Sequence, residues 1–320
     1  MVATLERNEA DQLMQAVSGV VLSERLRRAV DRYEQVGSRS PFLWKWVRNG
    51  VAITELSCVD PAWQERVSDM KTLGVMFDVL VDDVADGPPR PDFLGALFSI
   101  SEGRPELHLS ATEVERAYVG VAWEVWDGLW RELRTLPRFA EFRDLLAFDY
   151  AQLMNAMRYS ALTAANPRLM NMAEHDAYLP HNMHMMINAT IDLMASPRFD
   201  VADLGALRTS LLQAQHMGRI GNLVSTWERE VGEGDFSSGV FPMALETGLL
   251  SVEQLLSGNS EWLTWKIASS TIEAEFLARW GRHRRSLVAM ADRIRSVDLL
   301  ALVGGLETLL QLHLGSRGRK

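Results

Sequence analysis

Three aspartates, Asp82, Asp83 and Asp86, close an otherwise apolar stretch that includes Phe77, Val79, Leu80 and Val81. On a helix, Asp82 and Asp86 stand one turn apart on one face, and Asp78 extends that stripe a turn back. Like charges at this spacing repel by roughly 0.2–0.5 kcal/mol per pair in water, and by more where apolar neighbours limit solvation. A cation offsets that cost. Hard divalent ions suit such oxygen ligands, and Mg²⁺ is usually held by one or two carboxylates while phosphate oxygens and water complete its octahedron. Taken alone, the string also reads as a solvated helix end running into the Gly- and Pro-rich loop at 87–91.

A second set comprises Asn222, Thr226 and Glu230. Their i, i+4, i+8 spacing lines an amide oxygen, a hydroxyl and a carboxylate along about 12 Å of one helix face. Three oxygens in a row can chelate one ion. Arg229, next to Glu230, offers a guanidinium suited to bidentate bonds with a diphosphate. Taken alone, these residues also read as an ordinary polar face.

Together the two sets, DDxxD in the first half and NxxxTxxxE on a later helix, resemble the class I terpene synthases over essentially the whole chain. The resemblance implies an all-α protein of the class I terpenoid synthase fold. Residues 1–320 then form a single helical domain around a central apolar cavity, closed at one end by three Mg²⁺ ions, with Mn²⁺ as a substitute, and the substrate diphosphate. It assigns two ions to the aspartate motif, through Asp82 and Asp86 with Asp83 beside them, and the third to Asn222, Thr226 and Glu230. The implied reaction ionises an allylic prenyl diphosphate and quenches the carbocation by deprotonation to a hydrocarbon. Such a cavity must exclude water and present aromatic faces to positive charge. Phe77, Tyr178 and the stripe Trp123, Trp126 and Trp130 are candidates, with core packing the default for any one Trp.

Two departures from the family pattern narrow the expectation. Many bacterial relatives carry a diphosphate-sensing Arg in a tract like YLxxR, whereas this chain reads Tyr178-Leu179-Pro180-His181-Asn182. Asn182 stands in place of the Arg, as in bacterial enzymes acting on bicyclic labdane diphosphates. The expected substrate is therefore a copalyl-type diphosphate, with linear geranylgeranyl or farnesyl diphosphate as the alternative. No DxDD string of a class II cyclase occurs, so the bicycle would come from a partner class II diterpene cyclase. Many relatives also end in an Arg-Tyr pair that grips the diphosphate. Here Gly315-Ser316-Arg317-Gly318 retains an Arg without the Tyr. Closure is expected from this tail and from the loops at 87–91 and 232–239.

The elements that must position these groups read as helices. Apolar residues recur at three- and four-residue spacing near 10–36, 60–86, 111–135, 138–164, 168–195, 202–231, 261–296 and 297–315, with almost no strand-like alternation. Pro180 is expected to kink its segment and free backbone carbonyls toward the cavity. Eight of the 15 methionines fall between Met154 and Met194, where they wrap a polyene or fill a core.

Of 320 residues, 47% are apolar, which allows a large core and excludes a disordered or disulfide-stapled chain. A net charge of −9 argues against nucleic acid or an anionic membrane as partner. One cysteine, Cys58, forms no internal disulfide and suits a reducing, cytoplasmic setting. The acidic start lacks a signal-peptide pattern, and no window reads as a membrane span. A homodimer is left open. Two readings from other classes stand beside the cyclase. One is an HD-type metal phosphohydrolase built on His175-Asp176 with His181 and His184; the other is a non-catalytic helical isoprenoid-binding protein.

Overall fold

The computed structural model describes residues 7–87, 90–104, 106 and 111–318. Among them every regular element is helical. The chain order is α1 (Arg7–Ser18), α2 (Glu24–Tyr33), α3 (Pro41–Ile53), α4 (Gln64–Ala85), α5 (Pro91–Ser101), α6 (Glu113–Leu133), α7 (Phe139–Ala165), α8 (Met172–Tyr178) and α9 (Met185–Met194). It continues through α10 (Leu204–Glu233), α11 (Val240–Glu246), α12 (Val252–Ser257), α13 (Ser260–Ala268), α14 (Ile272–Val288) and α15 (Leu299–Gly315). No described helix is long and apolar enough to cross a membrane.

Two long helices organise the molecule. Helix α4 packs against α3, α6, α7 and α9, while α10 packs against α9, α14 and α15. Both bury residues around much of their circumference, α4 through Met70, Leu73, Phe77, Leu80 and Val84, and α10 through Leu207, Leu211, Met217, Leu223 and Trp227. A helix apolar on several sides gains stability only inside a bundle, which is where both lie.

Local signals set the boundaries. Ser40 accepts from the Phe42 N–H, and Pro41 occupies the first turn of α3, where its missing N–H costs nothing. Thr112 and Glu115 form a capping box at α6. Asp298 caps α15 by accepting from the Ala301 N–H. Gly234, at φ 73°, ends α10 in the left-handed region that favours glycine, so the chain turns back sharply after Glu233.

The structure divides several expected helices. The 10–36 segment breaks at Gly19–Ser23 into α1 and α2, because Ser23 caps a new start by accepting from the Leu26 N–H. The 261–296 segment gives α13 and α14, and α14 stops at Val288. Helices α3 and α5 lie where no helix is read from periodicity. Both are short, and α3 carries Gly50 inside it. The 168–195 segment becomes α8, a 3₁₀ turn over Leu179–Met183 containing Pro180, and α9. Pro180 thus breaks its helix as expected. The break ends at His184, the one described non-glycine residue with positive φ, at 62°.

Candidate active site

The two sequence sets meet across one cavity. Asp78 and Asp82 of α4, with Asp86 at its C-terminal cap, line one wall, and Asn222, Thr226, Arg229 and Glu230 of α10 line another. The break between α8 and α9 adds Asn182, Met183 and His184, and the chain after Gly234 adds Asp235 and Ser237. Going back along α4, the lining turns apolar at Val79 and Val75, joined by Leu43, Val47, Val51 and Leu309 from α3 and α15. The cavity, of about 230 Å³, is therefore acidic at one end and hydrocarbon-like at the other.

The acidic end is poorly compensated. Asp78 is buried, and among the described residues its Oδ1 has no hydrogen-bond partner; the same holds for Glu230 Oε2. Burial, with Asp82 and Asp83 nearby, pushes the Asp78 carboxyl well above its ordinary value. Burial does the same at Asp86, where Asp82 and Asp235 add to it and Ser160 and Arg219 oppose. At Asp82, burial against the pull of Arg39, with Asp83 and Asp235 adding repulsion, lifts the carboxyl to about 6. Part of the Asp82 and Asp86 surface still faces the cavity, where water moderates these effects. Glu230 is raised by burial and by Asp235.

Existing contacts hold these side chains in place without neutralising them. Asn182 Nδ2 donates to Asp82 Oδ1 at 3.2 Å, and Ser160 Oγ donates to Asp86 Oδ1 at 2.5 Å. The Thr226 hydroxyl donates to the Asn222 carbonyl at 3.0 Å, which leaves its oxygen lone pairs available to a ligand. Arg229 pairs with Glu233 and lies 3.9 Å from Glu230, and Arg219 donates to the Ser237 carbonyl at 3.1 Å.

Several sequence expectations need correction. Asp83 is not on the cavity wall. It forms a 2.6 Å ion pair with Arg39 and accepts from Tyr33 Oη at 3.1 Å, because one residue of offset turns it about 100° around the helix from Asp82. Arg317 faces away from the cavity, bonding the Val224 carbonyl and pairing with Glu273 at 2.8 Å. Phe77 is fully buried against Trp126 at 4.6 Å between ring centroids. Trp123 is half-buried and outside the cavity lining, and Tyr178 packs on Tyr159. The Trp stripe is core, since Trp126 packs at tilted and edge-on angles among Phe77, Trp130 and Tyr150. Among the described residues the aromatic that does reach the cavity is Trp46, joined by the His184 and His313 rings. Among the clustered methionines, Met183 and Met185 reach the cavity, while Met154, Met157, Met186 and Met194 fill the core. Of the closing loops, 232–239 contributes Asp235 and Ser237 to the wall, whereas positions 88 and 89 of the other lie outside the described residues.

The histidine reading does not assemble. His175 Nδ1 lies 3.3 Å from Asp176 Oδ1, and Asp176 turns to Arg279; His181 faces Gln215, while His184 faces the cavity. Among the described residues no three His, Cys, Asp or Glu side chains group tightly enough to hold a metal ion. The carboxylates instead face one another across the cavity. That suits ions held jointly by a few protein oxygens and a phosphate-bearing ligand better than a protein-only cage.

Arg39, Arg219, Asp235 and Asn188 also line the site without having been read from the sequence. Arg219 had a usable signal, lying three residues before Asn222 on the same helix face. Arg39 sits in a Ser- and Gly-containing loop, and only the packing of that loop against α4 brings it to the aspartates. No family model matches this chain, and no curated protein matches it in sequence.

Proposed function

We propose that this protein is a class I terpene synthase, which ionises an allylic prenyl diphosphate and quenches the carbocation by deprotonation to a hydrocarbon. One observation carries the reading: Asp82 of α4 and Asp86 at its end line the same cavity as Asn222, Thr226 and Glu230 of α10, and the inner wall of that cavity is largely apolar. The donor set fits divalent ions, since it is all oxygen, largely buried and short of positive charge, with Glu230 Oε2 unpartnered. Asp82 and Asp86 would hold Mg²⁺ on one side, and Asn222, Thr226 and Glu230 on the other. Bound there, Mg²⁺ would supply positive charge to offset that of the diphosphate.

This chain's own residues do the rest. Arg219 and Arg229, on the same wall as Asn222 and Glu230, bind the departing diphosphate through their guanidinium groups. Val75, Val79, Leu43, Val47, Val51 and Leu309 hold the isoprenoid and exclude water from the cation. Trp46 brings an aromatic ring to the cavity wall to stabilise positive charge. Asn182 contacts Asp82 with a neutral amide at the position where many relatives carry an Arg, and the resemblance to enzymes that lack that Arg makes the substrate a copalyl-type diphosphate from a class II cyclase.

The test supplies purified protein and Mg²⁺ with geranylgeranyl diphosphate, alone or with a copalyl diphosphate synthase, and identifies products by gas chromatography and mass spectrometry. A hydrocarbon formed only with the second enzyme supports the full reading. Product from the linear substrate alone refutes the labdane part. No diphosphate release from any allylic substrate of ten to twenty carbons overturns the reading.

A further inference from the structure

At the hydrocarbon-like end of the cavity an amide interrupts the apolar wall, and neither metal binding nor substrate ionisation uses it. Asn188 lines the cavity from α9, a helix whose residues are all buried, so the open space its side chain meets is the cavity. The residue is 8% exposed. Its Oδ1 lies 3.1 Å from His184 Nδ1, one turn back on the same helix. Its Nδ2 has no hydrogen-bond partner among the described residues, yet it is not fully enclosed as His184 Nε2 and Asp78 Oδ1 are, so it keeps surface that a cavity ligand can reach. The contact with His184 fixes the amide. Burial pushes that ring down to about 4, so it is neutral and its Nδ1 is either an N–H or a lone pair. In both states Nδ1 takes one polar atom of the amide and leaves the other to the cavity. Thr54, also on the wall, differs in that its hydroxyl donates within the protein, to the Gly50 carbonyl at 2.9 Å.

The amide stands far from the diphosphate end. Along α9, His184 lies beside Gly74 and Asp192 lies 2.7 Å from Lys71, so Asn188, one turn from each, is level with the turn of α4 between Lys71 and Gly74. That turn precedes Asp82 by about 12–16 Å of helix, a span that reaches the ring system of a bicyclic prenyl diphosphate.

A saturated ring pressed against such an amide leaves a buried polar atom unpaired, whereas an oxygen on that ring pairs with it. A hydroxyl both donates and accepts, so it fits whichever amide atom the cavity receives. Water has the same chemistry, but a cavity that carries a carbocation must keep water out, so the oxygen is better carried on the substrate. Resting on the cyclase reading, we propose that Asn188 selects a copalyl-type diphosphate bearing a hydroxyl on its ring system and binds that hydroxyl through its side-chain amide. The hydroxyl is carried through ionisation and deprotonation into the alkene product. Copalyl diphosphate itself is then the poorer substrate, still giving the hydrocarbon. The supplying reaction protonates an alkene of geranylgeranyl diphosphate, closes the rings and captures the ring cation with water, which gives up one proton.

The test gives the parent protein, with Mg²⁺, either 8-hydroxycopalyl diphosphate, the product of such a capture, or copalyl diphosphate, and measures diphosphate release and products. The hydroxylated substrate should have the higher kcat/KM by at least about tenfold, since a site that pairs with a substrate hydroxyl rejects the analogue lacking it. In Asn188→Leu, with its Tm checked to lie within a few degrees of the parent's, kcat/KM should fall at least about tenfold on the hydroxylated substrate and not on copalyl diphosphate. Asn188→Ala gives the same comparison without added volume. Equal use of the two substrates by the parent, or equal loss on both in a folded variant, overturns the assignment. So does an alcohol made from copalyl diphosphate with its oxygen drawn from H₂¹⁸O, which means that the amide holds water. Diphosphate release from geranylgeranyl diphosphate but from neither bicyclic substrate removes the labdane part of the reading, and this inference with it. Release from none of the three fails the cyclase reading as a whole and the inference that rests on it.

Discussion

Helix α4 carries buried charge in two places, and the surroundings treat them in opposite ways. At Lys71 a fully buried ammonium lies 2.7 Å from Asp192 and 3.6 Å from Glu55, and the other Asp192 oxygen accepts the Leu56 N–H at 2.9 Å. Two turns further on, Asp78, Asp82 and Asp86 face the cavity with, among the described residues, one unpartnered oxygen, two neutral donors and no direct ion pair. The first arrangement ties α4 to α9 and to the end of α3. The second leaves negative charge that folding alone does not need. Buried charge that is satisfied within the protein serves the fold, whereas buried charge left unsatisfied around a cavity indicates a ligand of opposite sign.

The strongest way to break this contrast is to neutralise one member of each group. Asp82→Asn should lower diphosphate release by about 10²- to 10³-fold, in the range seen when one group stabilising developing charge is lost, while leaving the Tm of the metal-free protein unchanged or higher. Steady-state kinetics and calorimetry on the same sample check both halves. Asp192→Ala should do the reverse in stability, costing about 3–5 kcal/mol because it strands Lys71 without its closest partner. Denaturant titration measures that loss. A Tm that falls in both variants by similar amounts would erase the distinction.

Ligand binding gives the next largest effect. Mg²⁺ with inorganic diphosphate, at about one hundred times its dissociation constant, should stabilise the parent protein by about 2.7 kcal/mol and do so much less in Glu230→Gln. Thermal shift with and without the pair tests it. In the metal-free protein, pH should act in a defined direction. The Asp82 carboxyl is raised to about 6 in the folded state from an ordinary value of about 3.9. A raised folded value means stabilisation at low pH that is lost as pH rises through about 6. Lowering pH from 7 to 5 should therefore add about 1 kcal/mol from this group, and saturating Mg²⁺ and diphosphate should abolish the gain. The smallest effect belongs to the surface. Arg317→Ala breaks a partly exposed pair with Glu273 and should change stability by about 0.5 kcal/mol, measured by urea titration.

Periodicity made α4, α6, α7, α10 and α15 legible, because each is long and repeats its apolar face over several turns. The short helices α3 and α5 were not, since little more than three turns with an internal Gly carry little pattern. In the site, the i, i+4 spacings named Asp82, Asp86, Asn222, Thr226 and Glu230, which do share a cavity. Helix periodicity predicts which side chains lie together on one face. It does not predict which neighbour that face meets, so Phe77 and Trp126 read equally well as cavity or core and are core.

By itself, the sequence determined the all-α class, the aspartate stripe, the Asn-Thr-Glu stripe and the break at Pro180, because each follows from local spacing and backbone chemistry. Only the tertiary structure decided that Asp83 turns to Arg39, that Arg317 points outward, and that His184 reaches the cavity beside Gly74. Those placements depend on how separate helices approach one another. Packing selects them through shape and the cost of stranding buried polar groups, neither of which is written into any single stretch of chain.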